Sequence, residues 1–190
     1  MHYCNAGKAG IKVSEIALGS WMARPEGTDA YSGGDTEAFL GRFIKDIPRE
    51  ETVIFSKEFF PIGKSASGYD LSHEHIFNNR KLSLKNLGID YIDPYYYHRF
   101  DTTMPMEETL QALSDLGESG QDPVLRRKRG MERGAHRTHL SERKLHPLTV
   151  IQSQYNRIDR YIEHEIVNTC DYYGIGITPF SPACAGSADR

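Results

Sequence analysis

Short apolar runs alternate with amphipathic segments along most of the chain, and this alternation restricts the possible folds more than any other feature of the sequence. The apolar runs lie at 52–57, 91–98, 148–154 and 175–180, and each has the length and composition of a β-strand. The segments between them carry apolar residues three and four positions apart, which is typical of a helix with one buried face. The pattern therefore predicts an α/β fold in which the strands run parallel.

Residues that favour helix ends delimit the predicted helices. We expect helices from a cap at Asp35 or Thr36 to a stop at Pro48, from a cap at Ser72 to Gly88, over 107–116, and over 162–173 closed by Gly174. At the N-terminus, a Gly-Lys-Ala-Gly turn before Ile11–Gly19 predicts a short hairpin that leads into a strand. Pro94 lies inside an apolar run, where its missing N–H is unfavourable for an inner strand.

Length and cysteine content place limits on the class of protein. The 190 residues suit a single domain spanning 1–190, but a closed (β/α)₈ barrel usually needs about 250 residues. Cys4, Cys170 and Cys184 are odd in number and lack a CxxC spacing, which favours reduced thiols over disulfides or a metal site. Neither a signal peptide nor a membrane-spanning apolar run is visible, so the sequence predicts a cytoplasmic protein.

A basic, irregular segment at 121–145 interrupts the alternation. Between Gln121 and His146 there are eight Lys or Arg residues and three acidic ones, whereas the whole chain has a net charge of -3. The segment shows neither strand nor helix periodicity, and we expect no apolar strand within it. A solvated surface or loop is the favoured interpretation, with contact to polyphosphate or nucleic acid as the alternative. No aromatic residues accompany the basic run, so a nucleic-acid partner is not expected.

Polar residues end several of the predicted strands. Lys57 and His98 close two successive runs, Gln152 and Asn156 flank the end of a third, and Ser181 follows the last. In parallel α/β proteins, functional groups collect at the carboxyl ends of the strands. Lys57 could instead be an end residue that extends to solvent, and His98 could be a hydrogen-bonded core histidine. Two ionisable groups at the same end of successive strands favour a functional site.

Tyr31 is a third candidate, because it lies in a Gly- and Asp-rich loop directly before the first predicted helix. A tyrosine hydroxyl titrates near ~10, and a neighbouring ammonium group lowers that pKa and eases proton exchange. A tyrosine, a lysine, a histidine and a carboxylate together could deliver a proton to a carbonyl oxygen. The alternative is that Tyr31 is a turn aromatic that packs on its own loop.

Several stretches, taken in order along the chain, resemble the aldo-keto reductase family, in particular the branch that includes potassium-channel β-subunits. The matching stretches are 3–21, 31–43, 53–57, 71–76, 83–93, 97–101, 105–110 and 174–182. This resemblance implies a (β/α)₈ barrel of the TIM type that binds NADP(H) without a Gly-rich loop and reduces an aldehyde or ketone to an alcohol. It also allows an alternative, a non-catalytic module that binds partner proteins and regulates them.

The resemblance assigns roles to individual residues. Tyr31 would donate the proton, Lys57 would tune its pKa, His98 would orient the carbonyl of a small-molecule substrate, and Gln152 would hold the carboxamide of the cofactor. Ser20, Trp21, Phe180 and Ser181 would lie beside cofactor or substrate, and no metal is implied.

The chain also departs from the family pattern. Glu26 stands where the family has an aspartate, with Asp29 as a second candidate for that carboxylate. The strand and helix before Glu26 are absent, the basic segment replaces a nicotinamide-binding strand, and the stretch 121–134 resembles a frame-shifted or mis-spliced unit. We find no match in this sequence to the family's last helices or to its basic site for the 2′-phosphate, and we expect both to be missing from the fold. We therefore expect a shortened, incomplete barrel with about five of eight βα units, which could self-associate through exposed sheet edges.

Overall fold

A computed structural model describes residues 2–19, 34–58, 71–97, 101, 103–118, 129–131 and 148–182. The strands are β1 (Tyr3–Asn5), β2 (Lys12–Ser14), β3 (Ser56–Glu58), β4 (Tyr95–Tyr97), β5 (Arg129–Met131), β6 (Val150–Ile151) and β7 (Gly176–Ile177). The α-helices are α1 (Asp35–Ile44), α2 (His73–Leu87), α3 (Met106–Glu118) and α4 (Ile166–Tyr173). Short 3₁₀ turns cover Arg49–Glu51 and Tyr161–His164.

A five-stranded parallel sheet forms the centre of the described structure, in the order β3-β4-β5-β6-β7. The prediction of an α/β fold with parallel strands is confirmed. The strand register aligns five residues in one row across the sheet: Lys57, Tyr96, Gly130, Val150 and Gly176. Because all five strands run in the same direction, their carboxyl ends lie at one edge of the sheet.

The central strand β5 lies within the basic segment, where the alternation along the chain calls for a βα unit but we expected no apolar strand. Its residues pair with Tyr95–Tyr97 on one side and with Val150–Ile151 on the other. Strand pairing uses backbone N–H and C=O groups, so a short run without proline can fill the gap between two strands even if its side chains show no pattern. The sequence expectation for 129–131 is corrected accordingly.

The strands are shorter than their apolar runs. Strand β4 begins directly after Pro94, which has no N–H to donate to the ladder. Just before the neighbouring strand β3, the Ile54 carbonyl accepts instead from Asp93 N at 3.0 Å, and the backbone N–H of Ile54 donates to the Asp93 side chain at 2.9 Å. Asp93 also forms an ion pair with Arg49, in which Asp93 Oδ2 lies 2.6 Å from Arg49 Nη2. The Arg49 guanidinium carbon lies 3.7 Å from the centroid of the Tyr91 ring. This network therefore ties together the entries to β3 and β4.

The predicted helix ends are partly confirmed. The Ser72 side chain accepts the backbone N–H of His75 at 3.3 Å, and Gly88 closes the same helix in the left-handed conformation. Helix α1 differs, because Gly34 rather than Asp35 or Thr36 occupies the N-cap. Helix α1 also exposes Phe39 and Phe43, although they lie at helical spacing.

Alternation along β4 separates two apolar clusters on opposite faces of the sheet. Tyr95 and Tyr97 face a large cluster, hereafter the helix-side core, that includes Ile76 of α2 and Leu113 of α3. Tyr96 points to the opposite face of the sheet, hereafter the inner face. It belongs to a smaller inner cluster, whose members are Ala6, Ile11, Tyr96 and Val150, with Ala9, Val13 and Phe55 packed against them.

The N-terminal hairpin packs on this inner side. Strands β1 and β2 pair antiparallel, which confirms the hairpin, but no strand continues through 15–19. The hairpin turn lies against the start of β7, where Lys8 N donates to the Gly174 carbonyl at 2.8 Å. A Cβ at Gly176 would lie 2.7 Å from the carbonyl carbon of Ala6, so the two backbones touch directly. Among the helices that the structure describes, none has the length and apolarity to cross a membrane.

Candidate active site

The carboxyl edge of the sheet carries two of the predicted site residues, Lys57 and Gln152. Lys57 is half-buried on β3 and aligns with Tyr96 of β4. Phe55, two residues earlier on the same face, packs edge-on against the Tyr96 ring, with centroids 5.7 Å apart and planes at 78°. Aligned residues of parallel strands share a face, so the Lys57 side chain extends from the inner face above this aromatic pair.

Gln152 directly follows β6. It lies two positions after Val150 of the inner cluster, so the two side chains share the inner face. Its Oε1 atom is buried and accepts no hydrogen bond from any residue that the structure describes. A buried acceptor without a donor costs about 1–3 kcal/mol, so this position suits a ligand that brings an N–H. A primary amide is such a ligand, and the Gln152 side chain therefore fits the carboxamide of a nicotinamide.

Phe180 and Ser181 lie beside the end of β6. Phe180 N donates to the Ser153 carbonyl at 3.0 Å, and Phe180 forms an isolated parallel bridge with Gln154. The Phe180 side chain remains 38% exposed, which leaves its ring accessible at the edge of the site. Ser181 has a φ of 53°, a left-handed conformation that is uncommon for a residue with a Cβ. Its carbonyl accepts the Asn156 Nδ2 donor at 3.2 Å.

The loop after β6 is held by its own polar contacts. Glu163 accepts from the Tyr155 hydroxyl at 2.6 Å and from two nitrogen atoms of Arg160 at 2.9 Å. The bonds from Arg160 and Tyr155 lower the pKa of the Glu163 carboxyl, and the hydrogen bond to Glu163 raises the pKa of Tyr155. Asn156 Oδ1 accepts the backbone N–H groups of Ile158 and Asp159. The loop beside Gln152 and Ser181 is therefore internally braced.

Two residues of the inner face, Tyr96 and Thr178, were not identified from the sequence. The Tyr96 hydroxyl lies 3.1 Å from Thr178 Oγ1, and Tyr96 is fully buried. Burial raises the pKa of Tyr96 to about 12, so this hydroxyl stays protonated across the physiological range. The alternation of side chains along a strand could have indicated both residues. Residues two positions apart share a strand face, and positions 96 and 178 each lie two residues before a predicted site residue, at 98 and 180.

The other five predicted site residues lie outside the described residues. These are Ser20, Trp21, Glu26, Tyr31 and His98. Of the predicted set, the structure thus places Lys57 and Gln152 on one face of one sheet, with Phe180 and Ser181 at the same edge. Lys57 and Gln152 are separated by strands β4 and β5.

Comparison with known proteins identifies the family. The model of the aldo/keto reductase family matches residues 26–190. The chain belongs to this family. The resemblance seen in the sequence motifs is thereby confirmed.

The relatives carry names of two kinds, oxidoreductases and potassium-channel β-subunits. One is the "Probable aldo-keto reductase 1" of Glycine max, which is 32% identical over 93% of this chain and 50% of its own length. Another is the "Probable voltage-gated potassium channel subunit beta" of Oryza sativa subsp. japonica, which is 27% identical over 98% of this chain and 65% of its own length. A candidate aryl-alcohol dehydrogenase of Schizosaccharomyces pombe is 29% identical over 95% of the chain and 58% of its own length. The chain thus spans only about half to two thirds of the length of these relatives.

Proposed function

We propose that this aldo/keto reductase binds NADP(H) at the carboxyl edge of the sheet and reduces aldehydes or ketones to alcohols. The observation that carries the proposal is the buried, unpartnered Gln152 Oε1 on the inner face of that sheet, within the part of the chain that the structure describes. The family match and the named reductase and dehydrogenase relatives support oxidoreductase chemistry. We further propose that the sheet belongs to an incomplete (β/α)₈ barrel, folded as one cytoplasmic domain over 1–190.

The chain's own groups would bind and orient the cofactor. Gln152 would accept a hydrogen bond from the carboxamide N–H, and Ser20, Trp21, Phe180 and Ser181 would flank the bound molecule. When bound, NADPH supplies a hydride to the carbonyl carbon.

Delivery of the proton would fall to Tyr31. The Lys57 ammonium would lower the pKa of the Tyr31 hydroxyl, because a nearby positive charge favours the phenolate. His98 would donate a hydrogen bond to the carbonyl oxygen and fix its direction, while Glu26 would hold the lysine by charge. The Tyr31 proton then passes to the oxygen as the alcohol forms.

Cofactor binding is tested with the Gln152→Ala variant, by quenching of the intrinsic protein fluorescence on titration with NADPH. Loss of one hydrogen bond of average strength weakens binding about fivefold. Gln111→Ala is the matched control, because Gln111 is an exposed glutamine on α3 that bonds only to Asp115 in the described structure. Failure of the unsubstituted chain to bind NADPH would refute the proposed function, and equal affinities for both variants would refute the role of Gln152.

Catalysis is tested with Tyr31→Phe on a generic aromatic aldehyde, by following NADPH consumption. General acid catalysis contributes roughly 10²–10⁴-fold, so the variant should lose at least about a hundredfold in rate while it still binds NADPH. Equal rates in the two proteins would show that Tyr31 is not the proton donor.

The second candidate function is a non-catalytic module that binds a partner protein and regulates it. Relatives named as potassium-channel β-subunits favour it. Exposed apolar residues at the hairpin, Tyr3, Ile16 and Leu18, and the sheet edges offer surfaces for association, including self-association. Light scattering separates the candidates, because a monomer that turns over aldehydes supports the enzyme, whereas a stable oligomer without turnover supports the module.

A further inference from the structure

The Tyr96–Thr178 hydrogen bond joins strands that are not neighbours. Tyr96 lies on β4 and Thr178 directly follows β7, with β5 and β6 between them. Neighbouring strands lie about 4.8 Å apart, so the two strands would be about 14 Å apart in a flat sheet. A tyrosine side chain is shorter than that span. The 3.1 Å contact therefore requires the sheet to curl around its inner face.

Thr178 also contacts Ile151, the residue that precedes Gln152. The Thr178 hydroxyl donates to the Ile151 carbonyl at 3.3 Å, and Thr178 N donates to the same oxygen at 2.9 Å. At the other end of the bridge, Tyr96 is aligned with Lys57. The Tyr96 hydroxyl thus connects the β3–β4 side of the inner face with the strand end that carries Gln152.

We propose that Tyr96 and Thr178 form a cross-sheet pair that positions the Gln152 carboxamide against the nicotinamide end of the cofactor. This inference rests on the proposed function and adds two positioning residues to it. Neither hydroxyl needs to touch the cofactor. The pair acts by fixing the curvature of the sheet and the orientation of the peptide between Ile151 and Gln152.

The test compares two ligands on four proteins. The proteins are the unsubstituted chain, Tyr96→Phe, Thr178→Val and the double variant, and each is checked for folding by thermal melting. The ligands are NADPH and 2′-phospho-ADP-ribose, which lacks the nicotinamide. We expect each single substitution to weaken NADPH about fivefold and to leave the affinity for 2′-phospho-ADP-ribose within about twofold. The double variant should bind NADPH no more weakly than Thr178→Val, because Thr178→Val already removes the Tyr96–Thr178 bond.

Tyr97→Phe is the matched control. It removes the same hydroxyl one position along the same strand, but Tyr97 faces the helix-side core and its hydroxyl has no hydrogen-bond partner among the residues described. Its NADPH affinity should therefore equal that of the unsubstituted chain. A second control places Tyr96→Phe in the Gln152→Ala background, where it should have no further effect on NADPH binding.

The outcomes separate the two proposals. If the unsubstituted chain binds no NADPH, the proposed function fails and this inference fails with it. If NADPH binds but Tyr96→Phe and Thr178→Val leave its affinity unchanged, or weaken both ligands equally, only the positioning role is overturned. Should Tyr96→Phe not fold, Thr178→Val alone decides, because it keeps a β-branched side chain of similar shape.

Discussion

The contact between the hairpin turn and β7 predicts a large difference between two similar glycines. Gly7 and Gly10 both lie in the turn and both have positive φ, 61° and 72°. A Cβ at Gly7 would lie 2.6 Å from the Gly174 carbonyl oxygen and 2.8 Å from the carbonyl carbon of Ile175, whereas a Cβ at Gly10 would meet nothing within 4 Å. Substitution by alanine therefore adds backbone strain at both positions but steric overlap at only one.

The loss of folding free energy follows from backbone strain and steric overlap. An alanine in the left-handed region costs about 1–2 kcal/mol, and forced overlap in a packed contact adds about 1–3 kcal/mol. Gly7→Ala should thus lower the free energy of unfolding by about 2–5 kcal/mol, and Gly10→Ala by about 1–2 kcal/mol.

Urea denaturation followed by far-ultraviolet circular dichroism measures both losses under the same conditions. Equal losses for the two variants would show that the hairpin turn is not seated on β7 as described. A loss at Gly10 larger than that at Gly7 would contradict the reasoning in the same way.

Three further predictions concern stability. Asp93→Asn should lower the free energy of unfolding by about 2–4 kcal/mol, because Arg49 loses its nearly buried carboxylate partner. Ser72→Ala should cost about 1 kcal/mol, since α2 loses its N-cap. Burial alone would raise the pKa of Asp101, but hydrogen bonds from Thr103 and from the backbone of Leu71 and Met104 lower it. Its folded-state pKa is therefore below the unfolded value, and its stabilising effect should be lost progressively as the pH falls from the unfolded-state value of about 4 through the lowered folded-state pKa, a loss that Asp101→Asn should reduce.

Chemical denaturation at several pH values checks all three. An Asp93→Asn variant as stable as the parent would show that the network with Arg49 contributes nothing to the fold. An acid dependence that is identical with and without Asp101 would contradict the assigned pKa direction.

The fold was predictable where the side chains carried a pattern. The Ser72 cap and the Gly88 end of α2 followed from local hydrogen bonding and glycine geometry, and both are observed. Strand β5 was not predictable, because its place depends on the backbone groups of β4 and β6 rather than on its own side chains. The Gly34 cap was missed because a glycine supplies no side-chain signal at that position.

For the site, individual residues at the ends of strands could be predicted, but the contacts between strands could not. Lys57 and Gln152 were identified because a polar residue after an apolar run marks a functional edge, and the structure places both on one face. The Tyr96–Thr178 bond could not be read from the sequence, since it joins residues 82 positions apart through the curvature of the sheet. Curvature depends on how all five strands pack, and no single strand encodes it.

The short central strand β5 also bears on how the chain folds. It is the only described strand that pairs with both β4 and β6, so it links the part of the sheet formed by 56–97 with the part formed by 150–177. Local opening of these three residues would break the strand pairing between the two parts, while the Tyr96–Thr178 bond and the inner cluster would still join them. Amide hydrogen exchange at Tyr97 and Val150, whose N–H groups face β5, should then report the closure of β5, and cooperative melting of the whole sheet should depend on that closure.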